Sequence, residues 1–302
     1  MINILTTILA YTIDRIFGEF SFIKHPIIII GNLITFFEKR FYKDSILRGL
    51  LLFIFMLVIV GGVVTFLTYL LNSLPTFLNI MITSFIASMF LAHRMLYDSV
   101  KEILSAENKR EAISMLVSRD TANMSDSDVY KASIETYAEN LSDGVIAPAF
   151  YLLFFGLPGI VIYKTINTLD SMVGYRNEKY ENYGKVNAIL DDVVNFIPSR
   201  ITAVLIMILG KQKGIFSFYK DGKKHDSPNA GHPITAMALV VGVKLGGDTS
   251  YFGKIKKKAS FGVGNSEITK IDLETTLTMR NKIDLALVIV LMLVVCGVKF
   301  LS

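Results

Sequence analysis

Cysteine, tryptophan and charge are what this sequence has least of. Its 302 residues include one cysteine, Cys296, and no tryptophan. A single thiol excludes an intramolecular disulfide framework, cysteine-based zinc clusters and paired-cysteine redox chemistry. Within an apolar stretch it reads as a small hydrophobic residue. Charged residues make up 19% of the chain, and 31 Lys and Arg against 26 Asp and Glu leave a formal net charge of +5. That excess is small and scattered, so no nucleic acid is expected as a partner. Apolar residues are plentiful instead, at 52% with a mean hydropathy of +0.50. Such a composition disfavours both a soluble single-core globule and a disordered chain.

The longest absence decides the class. Residues 49–92, 44 in succession, contain no Asp, Glu, Lys or Arg. As helix, at about 1.5 Å per residue, they extend about 66 Å, enough to cross a hydrocarbon core about 30 Å thick twice. Asn72, Ser73 and Pro75 supply a turn near the middle, which predicts a helical hairpin with spans at 50–71 and 77–93. A third span is expected at 283–301, where Asp284 and Lys299 can reach the interface from its ends.

Two further segments are spans or re-entrant helices. Residues 145–163 are uncharged but hold Pro148, Gly156, Pro158 and Gly159, and residues 193–210 contain Pro198 and Arg200. An arginine in lipid is costly, so the second segment is expected to line a polar cavity. The first 17 residues lack the basic start and small-residue cleavage site of a signal peptide and read as a retained membrane-contacting helix. The expectation is an all-α, multipass integral membrane protein, one membrane-embedded domain over 1–302. Lys39, Arg40, Lys43 and Arg48 before the hairpin, and Arg94 and Lys101 after it, place both flanks in the cytoplasm by the positive-inside rule. Lys254, Lys256, Lys257 and Lys258, with Arg280 and Lys282, assign the segment before the last span to the same side, and also read as a solvated basic loop beside anionic lipid. The protein is therefore expected in the cell membrane with its active site facing the cytoplasm.

Between the spans the chain is polar. Residues 102–116 read as a mixed-charge amphipathic helix, and Ser125 or Asp126 as the cap of another running to about Ser142. On that helix Glu135, Glu139 and Asp143 recur every four residues. Like charges on one face repel unless a cation stands opposite, so either basic side chains or a site for Mg²⁺ or a substrate amine is expected there, with Asn140 and Ser142 alongside. Asn167, Asp170 and Ser171 share a helical face and offer hard oxygen ligands, and Arg176 follows with a fork suited to phosphate. Asp191 and Asp192 point about 100° apart on a helix, so one of the two faces any given metal; the choice here is Asp192. His225 and His232 flank a Pro- and Gly-rich loop. Their spacing does not suit a helical zinc pair, and substrate or phosphate contact is the better reading. No Walker-type loop, dinucleotide fingerprint or nucleophile elbow occurs, so a nucleotide would be held by carboxylate-bound Mg²⁺ and basic side chains.

Four strings carry a resemblance: ENLSDGVIAP at 139–148, NTLDSMVGYR at 167–176, LDDVVNFIPSR at 190–200 and SPNAG at 227–231. They resemble the CbiB/CobD family of cobalamin biosynthesis, the adenosylcobinamide-phosphate synthases. Weaker echoes at Asp14 and Arg15 with Gly18, His25 and Pro26 with Gly31, 118–121 and 242–247 extend the likeness over about 14–253. Two positions depart from the pattern: Glu19 and Phe20 follow Gly18 where members commonly read Asp-Pro, and His232 stands where an aromatic residue is frequent.

The resemblance implies a multipass membrane ligase joining the carboxylate of adenosylcobyric acid to aminopropanol or its O-phosphate, with ATP and Mg²⁺. Its partners would be the corrinoid, the amine, the bilayer and other cobalamin-assembly enzymes. Glu139, Asp143 and Asp170 are the candidate catalytic acids. Glu139, Asp143, Asn167, Asp170 and Asp192 are the candidate metal ligands. Arg119, Arg176, Arg200, His225, Asn229 and Gly231 are the candidates for substrate and phosphate binding, the last two through free backbone N–H groups. Two other classes stay open: an isoprenoid-diphosphate-type transferase with Asp-rich Mg²⁺ sites, and a transporter with broken helices.

Overall fold

The computed structural model describes residues 1–175, 177–251 and 253–301, without the side chains of Leu291, Val294, Val295, Cys296 and 298–301. In chain order its helices are α1 (Ile2–Phe17), α2 (Pro26–Phe41), α3 (Ile46–Asn72), α4 (Thr76–Ser88), α5 (His93–Glu102), α6 (Lys109–Ser114), α7 (Asp126–Leu141), α8 (Ala147–Val173), α9 (Lys185–Val194), α10 (Phe196–Leu209), α11 (Phe218–Gly222), α12 (Gly231–Val241) and α13 (Lys270–Leu301). Four short strands, β1 (Leu245–Gly246), β2 (Thr249–Tyr251), β3 (Lys254–Lys256) and β4 (Ser260–Phe261), lie between α12 and α13. They pair antiparallel, β1 with β4 and β2 with β3. The expectation of an all-α chain is corrected here. Gly246, Gly247, Gly253 and Gly262 all adopt positive φ, which folds this stretch into tight hairpins that a helix cannot accommodate.

Among the described residues, three helices are long and apolar enough to cross a membrane: Ile46–Asn72, Thr76–Glu102 and Asp126–Val173. Lys185–Val194 and Phe196–Leu209 qualify only when taken as one broken span. The hairpin predicted from the uncharged run is present, its turn at Ser73–Pro75. α3 exposes Val58, Val63, Phe66 and Tyr69, apolar side chains that suit lipid rather than water.

The chain forms two compact units. The first comprises 1–94, 147–195 and 291–302. Here α1 packs on α4 and α8, and α3 on α8 and α9. α8 is kinked: Gly156 has φ 65° and Pro158 follows inside the helix. Proline removes a backbone donor and crowds the preceding turn, and glycine alone tolerates that φ without strain. The buried Asp14 of α1 accepts the backbone N–H of His93 at 3.0 Å, satisfying an orphan donor at the start of α5.

The second unit comprises 95–146 and 196–290. α7 begins with a capping box, Ser125 and Asp128 each bonding the other's backbone N–H, so that of the two expected caps, Ser125 and Asp126, it is Ser125. The expected helix over 102–116 is interrupted instead. The Asn108 side chain accepts from Glu111 N at 3.3 Å and so starts α6 afresh. After α7 the chain widens into a π-helical turn at Ser142–Ile146. Pro148 lies two residues beyond, cannot donate to the preceding turn and clashes with its carbonyl, and a widened turn relieves both. The ENLSDGVIAP string is thus the sequence of a π-turn.

Candidate functional site

In the second unit the α7 face bearing Asp128, Lys131 and Glu135 runs beside the segment that begins at β1. Arg119 Nη2 donates to Glu135 Oε2 at 2.7 Å, and Glu135 Oε1 accepts the Gly246 N–H at 2.6 Å. Glu135 is buried. Burial alone would depress the Arg119 guanidinium, but the Glu135 carboxylate, with Tyr251 and Glu139 adding, holds its pKa above the ordinary value. The neighbouring Asp120 accepts from Ser250 Oγ at 2.5 Å and from Gly253 N at 2.8 Å, while its own N–H donates to Ser250 O at 3.0 Å. Two consecutive residues therefore hold both ends of the segment 246–253. Between them opens a pocket of about 690 Å³, lined among others by Arg119, Asp120, Asp128, Lys131, Gly246 and Asp248. That volume is typical of small-molecule sites. Glu139 and Asp143, half-buried, follow on α7 and in the π-turn.

A second cluster in the same unit surrounds Arg200. Its Nη1 donates to Asn229 Oδ1 at 2.7 Å, Phe196 O at 2.9 Å and Ser199 Oγ at 3.0 Å, and its Nη2 to Pro228 O at 2.9 Å. The guanidinium lies over the Phe196 ring at 3.7 Å. Ser227 Oγ accepts the N–H groups of Asn229 and Ala230 at 3.2 and 3.3 Å. The expectation that this loop offers free N–H groups is corrected accordingly: a serine turn consumes two of them. Gly231 is required for packing, because a Cβ there would sit 2.2 Å from Gly222 O. His225 accepts from Ser227 N at 3.0 Å through Nδ1, and burial, with Lys258 adding, lowers its pKa.

In the first unit, α8 and α9 share a polar network. Lys164 Nζ donates to Asn167 Oδ1 at 2.9 Å, and Asn167 Nδ2 to Asp191 Oδ1 at 3.3 Å. Asn195 Nδ2 donates to Asp191 Oδ2 at 3.0 Å, and Tyr163 OH to Asn195 Oδ1 at 2.8 Å. Asp191, not Asp192, is the buried member of the acidic pair and the one joined to Asn167. Ser171 Oγ turns back to Asn167 O at 2.9 Å. A Cβ on Gly174 would meet Asp170 Oδ1 at 1.9 Å, so the glycine of the NTLDSMVG string makes room for the aspartate. Arg176 lies outside the described residues.

Sequence reasoning missed three participants. Asp120 joins Ser250 and Gly253 through tertiary contacts, Asn195 reaches Tyr163 across helices as well as Asp191 one turn before it, and Lys164 bonds Asn167 within its own helix. Among the described residues no three His, Cys, Asp or Glu side chains are grouped to hold a metal. A hard ion that arrives with phosphates needs only one or two protein carboxylates, since phosphate and water complete its octahedron.

The sequence model described as CobD/Cbib protein matches residues 7–280. The chain is 42% identical over 243 residues to the probable cobalamin biosynthesis protein CobD of Pyrococcus furiosus, covering 80% of this chain and 84% of that protein. It is 34% identical to the cobalamin biosynthesis protein CobD of Halalkalibacterium halodurans, over 96% of each chain. To the probable cobalamin biosynthesis protein CobD of Methanocaldococcus jannaschii it is 35% identical over 97% of each. No solved structure matches. With a match along nearly the whole chain, this protein belongs to the CobD/CbiB family.

Proposed function

We propose that this protein acts in cobalamin biosynthesis as an adenosylcobinamide-phosphate synthase, an ATP-dependent ligase. It joins a corrinoid carboxylate to the amine of aminopropanol or its O-phosphate. The observation that carries the reading is the family match over 7–280, which includes all four motif strings and the Arg119 and Asp120 residues that build the pocket.

A carboxylate does not condense with an amine in water until it is activated. One carboxylate oxygen attacks the γ-phosphorus of ATP, the bond to ADP breaks, and an acyl phosphate results. The amine nitrogen then attacks the acyl carbon, phosphate leaves with the bridging oxygen, and the nitrogen gives up a proton to a base. Mg²⁺, when bound, neutralises charge on the transferring phosphoryl group.

Each unit offers residues for part of this work. In the second, Glu139 and Asp143 are the acids proposed to ligate the ion or accept the proton, beside the charge of Arg119. In the first, Asn167 and Asp170 are the corresponding oxygen donors, with Asp192 on the next helix. Arg200, His225, Asn229 and Gly231 shape a loop that fits a substrate-positioning role better than direct phosphate contact, because both terminal nitrogens of Arg200 and the Nδ1 of His225 already bond within the protein and Gly231 is packed on Gly222.

The test is turnover by the full chain in detergent or nanodiscs. Adenosylcobyric acid, the amine, ATP and Mg²⁺ together should give the amide with one ADP and one phosphate per product. Omission of any one should stop the reaction. A prenyl diphosphate consumed in their place would support a transferase, and corrinoid uptake into vesicles without amide formation a transporter.

A further inference from the structure

Among the described residues, the pocket beside Arg119 contains one cation that makes no ion pair or side-chain hydrogen bond. Arg119 is committed to Glu135, Asp128 to the cap of α7, and Asp120 to Ser250 and Gly253. Lys131 and Asp248 also line the pocket, and among the described residues neither makes an ion pair or a side-chain hydrogen bond. Lys131 lies one helical turn before Glu135, so its side chain reaches the backbone just past Gly246. A Cβ built on Gly247 would sit 3.7 Å from Lys131 Nζ. Gly246 and Gly247 have φ of 73° and 87°, so the chain turns there without side chains and leaves its backbone open to close approach. The Asp248 N–H that follows has no partner among the described residues. A lysine ammonium beside a glycine turn with an unused N–H has the composition of an oxyanion cradle.

We propose that Lys131, with the backbone at Gly247 and Asp248, binds a phosphate group inside this pocket, and that the Asp248 carboxylate receives a positive charge carried by the same ligand. This deepens the proposed function and rests on it for the identity of the ligand. Two substrates of that reading carry phosphate together with a cation: ATP with its Mg²⁺, and the phosphorylated amino alcohol with its ammonium. Among the described residues the pocket walls contain no aromatic side chain to stack a base, but the shared chemistry is the phosphate.

The experiment measures equilibrium binding to the full chain in nanodiscs, one ligand at a time. The ligands are ATP with Mg²⁺, aminopropanol O-phosphate and unphosphorylated aminopropanol, with inorganic phosphate as competitor. Lys131→Gln should weaken one of the two phosphate-bearing ligands by about tenfold, the usual effect of losing a charged hydrogen bond. Lys131→Arg should retain most of the affinity. Inorganic phosphate should compete in the wild type and lose that effect in Lys131→Gln. Weakening confined to ATP assigns the cradle to the nucleotide. Weakening confined to the phosphorylated amine, with aminopropanol unchanged, assigns it to the amine. Asp248→Asn should weaken the same ligand while phosphate competition persists. Unchanged affinity of Lys131→Gln for both ligands would overturn the proposal even if amide synthesis is intact. Lys131-dependent phosphate binding without any amide synthesis would leave the cradle standing and remove the functional reading.

Discussion

Arg119 and Glu135 are joined at 2.7 Å with both side chains largely shielded from water, and the second oxygen of the same carboxylate holds the Gly246 N–H. One buried acid thus ties the loop before α7 to the start of the β segment. Arg119→Ala leaves that carboxylate buried without its counter-charge, which costs about 3–5 kcal/mol. Glu135→Gln keeps an acceptor for Gly246 but turns an amide toward the guanidinium, and should cost less. Thermal unfolding of the two variants in detergent checks the order. Equal melting temperatures for Arg119→Ala and wild type would show that the pair is not structural.

Arg200 behaves as a brace. Four acceptors within the protein occupy its guanidinium. Arg200→Lys cannot reproduce that fork and should lower the melting temperature together with activity, leaving the KM for ATP and for the amine within about twofold of wild type. A raised KM at unchanged stability would return Arg200 to phosphate binding.

Packing sets the role of Gly231. Its Cβ in Gly231→Ala would overlap Gly222 O and force α11 from α12, at about 1–3 kcal/mol. Loss of stability should accompany any loss of turnover, measured as a drop in midpoint on chemical denaturation. Full stability with abolished turnover would instead mark a direct substrate contact.

His232 is fully buried, stacked on Tyr219 at 5.2 Å and edge-on to Phe218 at 5.7 Å. Burial, with Arg200 and Lys223 adding, pushes its pKa down to about 4 from 6.5. The folded state therefore holds the neutral ring while the unfolded chain takes up a proton below pH 6.5. Stability is complete above that pH and falls as the pH drops toward about 4, by up to about 3 kcal/mol from this group. His232→Phe preserves the aromatic packing and should flatten the slope of melting temperature against pH over that window. An unchanged slope would assign the acid sensitivity elsewhere.

Legibility followed the range of the interactions. The uncharged run gave the α3–α4 hairpin because a bilayer constrains every residue of a span, and the α7 start was readable because Ser125 is a capping residue type at the head of the helix. The π-turn at Ser142–Ile146 was not, although Pro148 was the signal for it. The strands between 245 and 261 are runs of two or three residues, too short for any periodicity to register. That Asp191 is the member of the acidic pair joined to Asn167 depends on how α9 is oriented against another helix, which the adjacent positions in sequence do not reveal. Asp120 and Asn195 found partners 130 and 32 residues away, in Ser250 and Tyr163, and no spacing rule reaches that far, whereas Lys164 meets Asn167 three residues on within one helix.

Asp170 is the acid whose removal most directly tests the metal assignment. Asp170→Asn keeps the side-chain volume above Gly174 and should leave folding and membrane insertion intact. Mg²⁺-dependent turnover should fall by at least about a hundredfold. Retained activity with an unchanged Mg²⁺ response would remove Asp170 from the site.

The path of one oxygen atom tests the ligase account most directly. Adenosylcobyric acid labelled with oxygen-18 in its free carboxylate is converted by the full chain with ATP, Mg²⁺ and the amine, and the released phosphate is analysed by mass spectrometry. Activation through an acyl phosphate predicts one labelled oxygen in each phosphate released, with ADP as the other product. Label found in AMP, unlabelled phosphate, or no consumption of the corrinoid at all would contradict it.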